Sequence, residues 1–151
     1  MFRKCAMISV VALAAAAAAT AQPSIGKPFD LKVGASVTIG TEGLVVGFDE
    51  LVSDSRCAIG LLCIWEGDAS AQLWAKLPQE TRQDFQLHTH YDFKWKFSYG
   101  DYEITLVGIA PYPVYEQPIP PGDYVATVRV DGGPAPVEES TWGRIKSLYN
   151  R

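Results

Sequence analysis

The chain has 151 residues, of which 48% are hydrophobic and 20% charged, with 13 Lys and Arg against 17 Asp and Glu for a formal net charge of −4. An acidic balance argues against nucleic-acid binding, which usually needs a basic face. The length fits one domain able to bury a core.

At the N-terminus, Arg3 and Lys4 precede an apolar run from Ala6 to Ala19, and Ala19-Thr20-Ala21 stands before Gln22. A positive segment, an apolar segment and a small-residue cleavage site together make a secretory signal peptide, expected over residues 1–21. The run is shorter than the ~20 residues that span a bilayer. Cys5 precedes it, so it is not placed for lipid attachment. The expected mature domain therefore starts at Gln22 with eleven basic and seventeen acidic groups, a net charge of −6. It is expected to be secreted or periplasmic, monomeric, without a membrane span and without a cofactor. Of its cysteines only Cys57 and Cys63 remain, and in an oxidising compartment two such residues are expected to pair.

Residues 24–34 hold Gly26, Pro28 and Gly34 and read as an irregular lead-in. Val37–Ile39 and Leu44–Val52 then suggest a first hairpin. From Ala69 to Leu77 the odd positions are apolar and the even ones mostly polar, the period of a half-buried strand. Phe85–Thr89 repeats the pattern. Tyr91, Phe93, Trp95, Phe97 and Tyr99 occupy every odd position of the next stretch. On an extended chain all five rings share one side, and such a stripe reads as the inner face of a sheet, with a carbohydrate-stacking platform as the alternative. Tyr102–Leu106 and Tyr124–Val130 read as strands on either side of a proline-rich loop, Pro111 to Gly122. About seven short strands predict an all-β antiparallel sandwich or Greek-key barrel over residues 22–131. Residues 132–151 read as a Gly/Pro linker and a short C-terminal helix presenting Trp142, Ile145, Leu148 and Tyr149.

Three places could carry function. Between Cys57 and Cys63 the chain reads Ala-Ile-Gly-Leu-Leu, an apolar loop that a disulfide would clamp. Arg56, Ile59, Leu61, Leu62 and Trp65 are the candidate binding residues there, since exposed apolar groups on a rigid loop mark partner sites. A clamped loop also raises a protease inhibitor offering Arg56, while the plain structural reading makes the disulfide a staple between two strands. His88-x-His90-x-Asp92 would put three metal-ligating side chains on one face of a strand, the basis for a metal-binding alternative. Motifs for catalysis are missing: there is no G-x-S-x-G, no H-E-x-x-H and no phosphate-binding glycine loop. The leading expectation is thus a non-enzymatic exported domain that binds a protein or a surface polymer.

The segment Asp54-Ser55-Arg56-Cys57 followed by Cys63-Ile64-Trp65-Glu66-Gly67-Asp68-Ala69 resembles the D-S-R-C-x5-C-x-W-x-G-x-A signature of small secreted bacterial proteins. It departs from it at Ala58, where a proline is frequent, and at Glu66, where an alanine is. Tyr102–Pro111 and Asp123–Val130 are similar to the later strands of that group. The resemblance implies an all-β secreted domain and assigns no active site.

Overall fold

A computed structural model describes residues 22–133. The expected signal peptide (1–21), most of the expected linker and the expected C-terminal helix lie outside the described residues. Eight strands form two antiparallel four-stranded sheets packed face to face. The first sheet has the order β1 (Phe29–Lys32), β8 (Val125–Gly132), β7 (Tyr102–Ala110), β6 (Lys96–Tyr99). The second has the order β2 (Ser36–Ile39), β3 (Leu44–Asp54), β4 (Ala69–Lys76), β5 (Gln83–His88). The chain therefore changes sheets twice, between β1 and β2 and between β5 and β6. Helical structure among the described residues is one 3-10 turn, Pro121–Asp123.

Alternation built this sandwich. Ala69, Ala71, Leu73 and Ala75 of β4 are fully buried, and Ile104 and Leu106 of β7 face Ala126, Val128 and Val130 of β8 in the same core. Large rings fill the rest: Phe48 is fully buried, and Phe85 stacks on Phe97 across the two sheets with centroids 4.0 Å apart. Small alanines along β4 leave room for those rings, so volume is matched across the facing layers. Gly47 is required for a different reason: a Cβ there would stand 2.2 Å from the indole of Trp74, its cross-strand partner.

Two expectations are corrected. Phe29–Lys32, read as irregular, is a strand because its partner is the far end of the chain, with Phe29 opposite Val128. The five-ring stripe is not one strand. β5 stops at His88 and β6 starts only at Lys96, because residues 89–95 carry the chain from one sheet to the other. The His88 N–H donates to the Lys94 carbonyl and the Leu106 N–H to the Trp95 carbonyl, one bond on each side of that crossing. Consequently Tyr99 is buried and Phe97 partly buried, while Tyr91, Phe93 and Trp95 are exposed.

The strand directions give the molecule two distinct ends. Residues 22–28, the turn at Gly40–Gly43, Gly100–Asp101 and Gly132 lie at one end, where the Gly26 N–H donates to the Val130 carbonyl. Both ends of the described chain leave from there. At the opposite end lie the three long connections: 55–68 between β3 and β4, 89–95 between β5 and β6, and 111–124 between β7 and β8.

Candidate functional site: three loops at one end of the sandwich

The disulfide Cys57–Cys63 closes the first loop as expected. Its backbone leans on the third loop: the Ile59 N–H donates to the Pro113 carbonyl and the Tyr115 N–H to the Ile59 carbonyl. Held this way, the apolar residues of the clamped segment cannot fold back onto the core. Leu62 and Ile64 are fully exposed, at 105% and 108%, and Ile59, Leu61 and Trp65 are also open to solvent.

Arg56 lies at the base of this loop and is not presented. Its side chain is only 7% exposed and pairs with Asp54, itself 9% exposed, through Nη2 to Oδ2 at 2.6 Å and Nε to Oδ1 at 2.8 Å. One N–H of Nη1 donates to the Ile109 carbonyl and the second of Nη2 to the Pro111 carbonyl, so four of the five donors are used and the first loop is tied to the start of the third. The guanidinium also sits over the Tyr112 ring, 4.9 Å from its centroid. Burial pushes the Asp54 carboxyl up, but the hydrogen bonds and charge of Arg56, with the Tyr124 hydroxyl, outweigh it and hold the group below its ordinary value. The expectation of Arg56 as a residue offered to a protease is therefore corrected: a guanidinium with its donors consumed in this way is a structural tie.

A second carboxylate organises the crossing loop. Asp68 is buried, and its Oδ1 accepts from the Thr89 N–H, the Thr89 hydroxyl and the His90 N–H, while Oδ2 lies 2.6 Å from His88 Nδ1. Burial raises this carboxyl as well, and again the donors, led by His88, prevail and leave it lowered. Gly67 places it there. At φ +77°, a Cβ on Gly67 would lie 2.0 Å from the Ser55 carbonyl, so only glycine lets the chain return along residue 55.

The expected metal trio does not converge. His88 ends β5 and is turned to Asp68, whereas His90 lies beyond the strand with Nε2 3.0 Å from Glu66 and Nδ1 accepting the Asp92 N–H. The latter bond leaves the ring proton on Nε2, facing the carboxylate. Asp92 Oδ2 is 3.8 Å from His90 Nδ1. Among the described residues no three His, Cys, Asp or Glu side chains form a metal-holding group. The His90 ring instead joins an aromatic group with Trp65, Tyr91 and Phe93, at centroid distances of 5.4, 4.6 and 5.9 Å.

Between the three loops opens a cleft of about 280 Å³, lined by Glu66 and Gly67 from the first, His90 and Tyr91 from the second, and Ile109 and Tyr112 at the third. A neighbouring cleft of about 340 Å³ shares Thr89 and Tyr91 with it and continues to Trp95, Thr105 and Arg129. Asp68, Glu66 and Tyr112 escaped the sequence reading as site residues, because their partners His88, His90 and Arg56 lie 20 or more positions away, whereas Tyr91 entered it only as part of the aromatic stripe. Only the Glu66-Gly67-Asp68 turn gives a local hint. Comparison of the chain with protein-family models, with curated proteins and with solved structures gave no match.

Proposed function

We propose that the protein is an exported, non-catalytic binding domain that engages a protein or surface polymer through the three-loop end of its sandwich. One observation carries this reading. Ten of the thirteen large hydrophobic side chains exposed among the described residues lie on the three loops. Scattered single apolar residues need no explanation, whereas a concentration at one end marks an interaction surface. The loops are also held before any partner arrives, by the disulfide, by Arg56 and by Asp68, which lowers the ordering cost of association. The two carboxylates with lowered pKa are both committed to this bracing. The described chain enters and leaves at the opposite end, so the loop end is left uncovered by the described residues.

The test uses fluorescently labelled protein and the envelope fraction of the cells that produce it. Saturable binding is expected, with loss of at least about tenfold in affinity for Leu62→Asp/Ile64→Asp, since each aliphatic side chain buried is worth ~1.5–3 kcal/mol. Thr41→Asp, at the other end, is the control and should bind like the parent. Equal binding by all three proteins refutes the reading.

A further inference from the structure

The two adjoining clefts carry a narrower conclusion, which rests on the loop-end reading above. Tyr91 stands where they meet and is 73% exposed. Tyr112 lies in the first cleft and Trp95 in the second, so three exposed aromatic rings line the two adjoining clefts, each with one face held by a neighbouring side chain. Two small compartments in series, each with an aromatic wall, together reach the ~300–1,000 Å³ of ordinary ligand clefts. Such a shape fits consecutive rings of an oligomer.

Charge narrows the ligand. The two cationic side chains that line the clefts are each paired with a carboxylate: Arg56 with Asp54, and Arg129 Nε with Asp131 Oδ2 at 2.7 Å. An anionic ligand thus meets no unpaired cation among the residues that line the two clefts. What the groove does offer is suited to hydroxyls. Glu66 is largely exposed, oriented by His90, with carboxylate lone pairs left to accept. Aromatic faces carry the negative lobe of the ring quadrupole and attract the C–H faces of a sugar.

We infer that the groove running from Tyr112 past Tyr91 to Trp95 is a pair of subsites for adjacent rings of a neutral glycan.

Calorimetric titration of the full exported protein with cello-, chito-, xylo-, manno- and maltohexaose, and with hexagalacturonate as the anionic comparison, tests it. At least one neutral hexasaccharide should bind, about tenfold or more tighter than its own monosaccharide. Tyr91→Ala and Trp95→Ala should each weaken that binding about tenfold, while Tyr91→Phe, which keeps the ring face, stays within about threefold. Tyr91 is exposed, so its variants should fold. Absence of binding to every neutral hexasaccharide, preference for hexagalacturonate, or parental affinity in Tyr91→Ala overturns the inference. Competition and protease digestion with the envelope fraction separate this from the broader reading. Excess of the neutral hexasaccharide that binds should abolish binding to that fraction and protease digestion of it should not. The opposite pattern, with Leu62→Asp/Ile64→Asp still defective, overturns the glycan and leaves the loop end as a protein-binding surface.

Discussion

Arg56 and Asp54 form the most consequential side-chain pair, because both are withdrawn from water and each satisfies the other. Arg56→Ala removes the charged partner of the buried Asp54 carboxylate and leaves the Ile109 and Pro111 carbonyls without their donors. Breaking a buried pair from one side costs ~3–5 kcal/mol, so urea unfolding of this variant should show a loss of that order. The exposed Arg82, which pairs with Asp49 and Asp84, is the contrast: Arg82→Ala should leave the unfolding midpoint nearly unchanged. Acid should expose the same chemistry. Asp54 and Asp68 both have folded-state values below those of the unfolded chain, so protonation favours unfolding. Their contribution is complete above about pH 4 and is lost as pH falls through the lowered values. The thermal midpoint should fall between pH 5 and pH 2.5, and less steeply in Asp68→Asn; a midpoint independent of pH in that range would contradict the assignment.

At the scale of elements, the strands that pair with near neighbours were legible. β2 with β3, and β4 with β5, follow from alternation between turn residues. Those depending on distant partners were not: β1 is four residues long and exists because β8 closes over it. The aromatic stretch from Tyr91 to Tyr99 shows why a period alone can mislead. Its alternation is unbroken, but the chain has to leave one sheet for the other, and the bonds at Lys94 and Trp95 fix where that happens. The first three rings therefore ended outside, turning a core expectation into a surface. The clamped loop was legible, since two cysteines and the apolar run between them are local signals. Its bracing was not, because Arg56 reaches Ile109 and Pro111 more than fifty residues on. Removing the clamp with Cys57→Ala/Cys63→Ala should cost about 2 kcal/mol for so short a loop. Gly67→Ala should cost ~1–3 kcal/mol from its backbone conformation and more from the Ser55 carbonyl it would strike, as measured by chemical unfolding.

On the scale of the whole molecule, the sandwich acts as a spacer between two ends of different character. Core residues of both sheets hold the strands in register, and the strands carry three loops to one end while the described chain starts and stops at the other. Sequence could supply the sandwich but not this polarity, since polarity depends on which strands neighbour each other in space. The central claim is that the loop end alone meets the partner, and hydroxyl-radical footprinting of the protein bound to the envelope fraction tests it most directly. Trp65, Tyr91, Trp95 and Tyr112 should be protected relative to free protein, with Ile25 at the opposite end unchanged; protection of Ile25 with the four rings still reactive would contradict it.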